Sequence, residues 1–305
     1  MSVDIANVAS NPSGLVPARR ALVAAMLLCA SLPRALAAVA AASTASGELS
    51  AEQIVGRHVA ARGGLEAWRA LQALSMNGKL DAGPGDLEAR AARIARAGSP
   101  AGKVRVGAPA DAARKPVQQQ VQLPFTLEMK RPHKSRIEIE FGGKTALQVY
   151  DGNEGWLVRP YLNRTDAEPF TPGQLKEQAA ERDLDGPLID YAAKGSTVEL
   201  AGVEAVEGRD AYDLKMTTRD GRVQHVWIDK QTYLDVRVEG LPRRMDGRMH
   251  TVWIYQRDFR PVQGLMMPFV LETAVDGYRE THRLVIDKVA VNPKLDDALF
   301  AKPKA

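Results

Sequence analysis

From Phe125 onward, apolar residues recur at every second position, and this alternation limits what the chain can fold into more than any other feature. Phe125, Leu127 and Met129 alternate with polar positions, and Ile137, Ile139 and Phe141 stand between Arg136, Glu138 and Glu140. A period of two sends successive side chains to opposite sides of a strand, so such a run buries one face and wets the other. Leu147 and Val149 lead into Asp151-Gly-Asn-Glu-Gly155, and Trp156-Leu-Val158 resumes the pattern, a hairpin signature. Further strands are predicted over Val198 to Val206, Ala211 to Thr218, Val223 to Asp229, Leu234 to Glu239, Met249 to Asp258, Met267 to Val275 and Tyr278 to Val291. Turns such as Arg219-Asp-Gly221, Asp246-Gly247 and Asp276-Gly277 separate several of them. With a strand near Leu74 to Leu80, the total is about eleven, in antiparallel meander order. Sequential strands usually neighbour each other, which predicts one curved sheet.

Helical signals flank and interrupt this pattern. Ser50-Ala-Glu-Gln53 is a capping box, and the helix it starts is expected to run to about Arg62 and stop at Gly63-Gly64. Leu65, Trp68 and Leu71 mark a second short helix. Thr171 as N-cap and Pro172 at the first helical position predict a helix to Arg182, and a further short helix is expected from Leu184 to Lys194. These elements must pack across one face of the sheet. Ala82 to Gln120 is rich in Gly, Ala, Pro and Arg, carries seven basic against three acidic residues, and reads as a solvated loop insertion with a short helix from Leu87 to Ala97.

The amino terminus reads as an address. Arg19-Arg20 precedes an apolar run from Ala21 to Leu32, and Ala35-Leu-Ala37 supplies the small residues that a signal peptidase reads. Cleavage near Ala37 would remove three arginines and one aspartate and lower the net charge from +4 to +2. It would also remove the one cysteine, Cys29, leaving nothing for a disulfide or a thiolate metal site. The expected organisation is a signal peptide at 1–37, a flexible leader at 38–50 and a single domain at 51–303 containing the insertion at 82–120. The weak net charge gives no case for nucleic acid. No apolar run reaches the ~20 residues of a membrane helix.

Catalytic and cofactor motifs are not found in the sequence. His58, His133, His225, His250 and His282 lie at no metal-ligand spacing. G-x-S-x-G, H-E-x-x-H, a P-loop and a dinucleotide fingerprint in its strand and helix context are all missing. The sequence therefore predicts no catalytic residue, no metal and no cofactor. What remains is the apolar face. Its candidate residues are Phe125, Leu127, Met129, Ile137, Ile139, Phe141, Leu147, Val149, Leu214, Met216, Val226, Ile228, Val252 and Ile254, with Val236, Val238, Leu284 and Ile286 on the same side. A sheet this wide, covered by only a few short helices, leaves space for large side chains or for an apolar ligand. Met129, Met216, Met266 and Met267 bring flexible side chains suited to variable acyl shapes. Trp156, Trp227 and Trp253 fall either at the rim or on the outer sheet face.

The order of several short segments resembles a known family. Ile54 to Trp68 (IVGRHVAARGGLEAW), Val149 to Trp156 (VYDGNEGW), Leu184 to Tyr191 (LDGPLIDY), Gly264 to Pro268 (GLMMP) and Leu295 to Phe300 (LDDALF) are similar to bacterial periplasmic outer-membrane lipoprotein-sorting proteins. The resemblance spans roughly Ala51 to Pro303 without the insertion. It implies the fold of LolA/LolB-type carriers: mainly β with a few α-helices (α+β), a large curved antiparallel sheet forming a half-open barrel covered by helices and holding acyl chains. The basic insertion and extended middle depart from those carriers, so no site residue is carried over. The expectation is a periplasmic carrier for lipoprotein acyl chains or another lipid, acting as a monomer, with an inner- or outer-membrane protein as a further partner. A lipid- or lipoprotein-sensing interaction module of the envelope is the alternative, and an enzyme acting on an apolar substrate the third.

Overall fold

The capping box at Ser50 forms as written. Ser50 Oγ accepts the Gln53 N–H at 3.3 Å, and Gln53 Oε1 accepts the Ser50 N–H at 2.9 Å, which satisfies two orphan donors at the helix start. The computed structural model describes residues 49–82, 121–180, 184–279 and 281–304. The expected signal peptide, nearly all of the leader and the insertion with its short helix lie outside the described residues. Helix α1 spans Ala51–Ala61, α2 Leu65–Ala70 and α3 Pro172–Ala180.

Fifteen strands are described: β1 Ala73–Ala82, β2 Val121–Lys130, β3 Lys134–Phe141, β4 Lys144–Tyr150, β5 Gly155–Arg159, β6 Arg164–Pro169, β7 Thr197–Val206, β8 Arg209–Thr217, β9 Val223–Asp229, β10 Asp235–Glu239, β11 Arg243–Met245, β12 Arg248–His250, β13 Val252–Val262, β14 Leu265–Val275 and β15 Thr281–Val291. Thirteen form one antiparallel sheet in the order β6-β5-β4-β3-β2-β1-β15-β14-β13-β10-β9-β8-β7, while β11 and β12 pair only with each other. The sheet is thus two meanders joined where the first strand pairs with the last, Leu74 opposite Val291 and Leu80 opposite Leu284. At that seam a bulge falls at Asn77/Gly78. A Cβ on Gly78 would sit 2.0 Å from the Val285 carbonyl oxygen, so glycine is what lets the two meanders meet. β6 and β7 are the free edges, which leaves the sheet unclosed, as the half-open architecture requires.

Two expectations change. The strand expected from Met249 to Asp258 is broken, because the Asp246-Gly247 turn folds Arg248–His250 back onto Arg243–Met245 as a separate hairpin. Leu184 to Lys194 is not a helix but a chain of turns. Gly186 and Asp190 both have positive φ, and Pro187 removes a backbone donor. The expected helix from Thr171 is described from Pro172 to Ala180, and its start carries a second reciprocal cap, Thr171 N–H to Gln174 Oε1 at 2.9 Å and Gln174 N–H to Thr171 Oγ1 at 3.3 Å.

The covering elements all lie on one face, here called the inner face. α2 and the turns from Leu184 to Ile189 pack on β1–β3, β14 and β15 through Trp68, Leu71, Leu184 and Ile189. α1 packs on β7–β10 through Ile54 and Val55, together with Leu188. α3 rests on Tyr150, Leu157 and Phe170 through Leu175. α1 ends where Gly63, at φ +109, brings the chain against the β13–β14 turn; a Cβ there would lie 2.2 Å from the Gly264 carbonyl oxygen.

Candidate functional site

Register decides which candidate residues share the inner face. Phe125 pairs with Ile139, and Leu127 with Ile137. Both pairs join Met129 in one buried cluster with Trp68, Leu71, Leu74, Met76 and Ile189, and Phe141 packs against it, half-buried. Leu214, Met216, Val226 and Ile228 form a second cluster under α1. Val252 and Ile254 share the row of Val226 and Val238 but are covered by Met245 of the β11–β12 hairpin and by Tyr278. Val236 does not join this face; it clusters with Val206, Ala211 and Trp227. Leu284 and Ile286 do, in the first cluster.

Leu147 and Val149 are not on the inner face. Ile139 pairs with Ala146 and Ile137 with Gln148, so the inner positions of β4 are Ala146, Gln148 and Tyr150. Leu147 stands opposite Glu138 and Val149 opposite Arg136. Val149 instead packs with Trp156 and Phe300 of the C-terminal turn. The alternation was read correctly, but its phase in β4 was not. A one-residue change of phase moves every side chain to the other side of the sheet. Trp227 and Trp253 also lie away from the helices. They meet edge to face at 5.4 Å, and the Arg237 guanidinium lies 3.7 Å and 4.5 Å from their ring centres.

The inner face is covered: Leu127 is 2% exposed and Val226 0%. A ligand would reach it only if a covering element moved. α1 is anchored by a buried polar cluster that the sequence reading did not single out. Arg62 Nη1 donates to Asp235 Oδ2 at 2.5 Å, and Arg62 Nε donates to the Met266 carbonyl at 2.9 Å. Trp68 Nε1 returns a bond to the Arg62 carbonyl at 2.9 Å, and the Arg62 guanidinium lies 4.8 Å from the Trp68 ring centre. His58, one turn earlier on α1, places Nδ1 2.9 Å from the Tyr233 carbonyl and Nε2 3.9 Å from Asp235 Oδ2. One helix is thereby tied to β10, β14 and α2. The turns after Leu184 are also pinned. Asp185 takes Arg131 at 3.0 Å and Lys194 at 2.9 Å, while Arg69 makes two 2.9 Å bonds to Asp190. The contacts of α3 include Leu175 in its apolar patch, a 2.9 Å bond donated by Gln148 Nε2 to Gln178 Oε1 and a 3.4 Å bond donated by Gln178 Nε2 to Ser135 Oγ.

Burial alone would raise the Asp235 pKa, but the charges of His58 and Arg62 outweigh it and hold the carboxyl below its usual range. Burial is also the main influence on His58 and lowers it; Asp235 opposes that and Arg62 adds to it. Both shifts carry the same sign for stability. A depressed histidine is fully stabilising above about pH 6.5 and loses that contribution as the unfolded chain takes up a proton the folded one refuses. The aspartate is stabilising above about pH 4 and loses its contribution as pH falls through its folded value. The unfolding free energy should therefore hold level above about pH 7 and decline below about pH 6.5, by at most about 1.4 kcal/mol per pH unit for one proton, with the thermal midpoint falling in step. Scanning calorimetry across pH 5–8 should give a shallower decline for His58→Gln. An unchanged slope would remove His58 from this account.

Among the described residues, no group of three or more His, Cys, Asp or Glu side chains could hold a metal ion, and no helix is long and apolar enough to cross a membrane. An open groove of about 490 Å³ lies at one end of the sheet, lined by Gln122–Pro124 and Glu140–Thr145. It borders Phe141, one of the half-buried residues packed against the first cluster.

No family model matches the chain, and no curated relative does. Solved structures do. A LolA superfamily protein from Nitrosomonas europaea matches at 14% identity and a TM-score of 0.49, over 84% of this chain and 99% of that one. A DUF1329 family protein from Desulfovibrio piger matches at 12% identity and a TM-score of 0.48, over 82% and 97%. A domain from Vibrio parahaemolyticus described as an outer membrane lipoprotein-sorting protein matches at 14% identity and a TM-score of 0.46, over 81% and 94%. The first and third carry the superfamily description that the sequence resemblance gave.

Proposed function

We propose that this chain binds the acyl chains of a lipoprotein or another lipid against the inner face of its sheet and carries them through the periplasm as a monomer. One observation carries the reading. A single register row runs from Leu157 through Gln148, Ile137 and Leu127 to Met76, from beneath α3 into the main apolar cluster. Lifting α3 uncovers Tyr150, Leu157 and Phe170 at the start of that row, while α1 stays fixed by its buried ion pair; Ile137 and Leu127 lie further along, beneath Trp68, Leu184 and Ile189, whose side chains repack as the ligand advances. The acyl chain then replaces Leu175 and extends along Ile137 and Leu127. Affinity comes from apolar area removed from water, about 25 cal/mol per Å² before the costs of ordering. The pair Arg19-Arg20 at the amino terminus, followed by an apolar stretch and small residues, supports export.

Delipidated protein at a ligand concentration a hundred times Kd should gain about 2.7 kcal/mol, which raises the melting temperature by about 5–10 °C for a domain of this size. Palmitate, a diacylglycerol and a lipidated peptide are the ligands to compare by differential scanning fluorimetry. If purified protein carries no lipid and none of the three shifts the midpoint, the carrier reading fails. A sensing module instead requires a protein partner whose affinity changes with lipid, which a pull-down with and without lipid separates from a free carrier.

A further inference from the structure

The two ends of the sheet differ in charge. Following the register from strand to strand places the turns 142–145, 160–163, 218–222, 241–250 and 276–279 at one end. The turns 131–133, 151–154, 207–208, 230–234 and 263–264 lie at the other. The first set holds seven basic residues against three acidic, the second two against three. Lys144, Arg219, Arg244, Arg248 and Arg279 of the first set are exposed. None of these five has a described carboxylate within ion-pair distance, whereas Arg69, Lys130, Arg136, Arg159, Lys194 and Arg257 all do. Two of the three acids at this end are bonded by hydroxyls, Asp220 by Thr218 and Asp246 by Tyr278. Three large hydrophobic side chains are exposed among the described residues, and two are here: Met249, 54% exposed on the β11–β12 hairpin, and Val223, 48% exposed at the start of β9.

We infer that this end of the sheet docks on an anionic phospholipid surface. The cations are spread from the β3–β4 turn to the β8–β9 turn, separated in the sheet by most of its strands. A broad partner with distributed negative charge meets them together, whereas a small anion or a single acidic peptide meets only one turn. Unpaired arginines beside exposed Met249 and Val223 suit the boundary between headgroups and acyl chains, where the cation meets phosphate and the apolar side chain enters. Bases would need a row of exposed aromatic rings for stacking, and the turns at this end supply none beyond Tyr161 and Tyr278, both half-buried. This inference does not depend on what the inner face binds.

Sedimentation with vesicles of equal parts phosphatidylglycerol and phosphatidylcholine tests it on the full chain. Binding should be strong at low salt, absent on pure phosphatidylcholine, and lost at about 0.5 M salt, where the Debye length falls to about 4 Å. Each basic residue near such a surface contributes about five-fold, so Arg219→Gln/Arg244→Gln/Arg248→Gln should weaken binding about a hundred-fold. Its melting temperature should match wild type, since these side chains are exposed. Lys230→Gln, at the opposite end, should bind as wild type does. Equal binding to neutral vesicles, undiminished binding by the triple variant, or preference for single-stranded DNA over anionic vesicles would each overturn the inference. Acyl-ligand binding measured on the same triple variant should be unchanged, so loss of surface docking and loss of cargo binding are separate results.

Discussion

Asp235→Ala should destabilise the protein by about 3–5 kcal/mol, measured from the urea midpoint and slope of equilibrium unfolding. The substitution leaves Arg62 in a site where its side chain is 6% exposed, with the Met266 carbonyl as its remaining polar contact. A buried guanidinium without its carboxylate costs far more than the pair contributes, because desolvation of the charge is no longer offset. Removing both charges, as Arg62→Met with Asp235→Leu, should recover most of the loss. That recovery distinguishes an uncompensated charge from simple disruption of packing. If Asp235→Ala costs under 1 kcal/mol, α1 is not anchored as described and becomes a second movable cover.

Trp68→Ala should cost about 3–5 kcal/mol, the range for truncating a fully buried large aromatic. Trp68 is 0% exposed, belongs to the main apolar cluster and donates its indole N–H to the Arg62 carbonyl. The substitution both opens a void beneath α2 and removes one of the two donors to the Arg62 carbonyl, leaving the Met266 N–H at 3.1 Å. Trp68→Phe keeps most of the ring volume and loses only the hydrogen bond, so it should cost about 1–2 kcal/mol. The two variants in one urea series separate packing from polar anchoring. Near-equal losses would mean that the hydrogen bond, not the ring, fixes α2.

The sheet was legible because a period of two survives in nearly every strand and its turns are punctuated by glycine. Phe125, Leu127, Ile137 and Ile139 needed only that pattern, and the register puts them together. Leu147 and Val149 were misplaced because both faces of β4 are apolar: Phe300 and Trp156 cover one, α3 and its neighbours the other. A strand buried on both sides carries no phase in its sequence. The split of Met249 to Asp258 was hidden because Asp246-Gly247 was read as a turn between long strands rather than the tip of a small hairpin. The buried cluster was the least visible. His58 in the last turn of α1 and Arg62 at its C-cap stand four apart, on one side of the helix, but their partner is 173 residues away from Arg62. Sequence spacing carries no information about a pairing at that range. The seam between the two meanders, β1 against β15, was lost for the same reason.

Under the proposed reading, an acyl chain lies along the inner face once α3 moves. Photolabelling with a palmitate analogue bearing a diazirine near its methyl end, followed by peptide mapping, tests it most directly. Labels are expected on the peptides carrying Leu127 and Ile137, suppressed by excess palmitate and diminished when α3 is tethered by a disulfide engineered from Gln178→Cys to Gln148→Cys. Labels confined to the opposite face, around Val149 and Trp156 or Trp227 and Trp253, would contradict it.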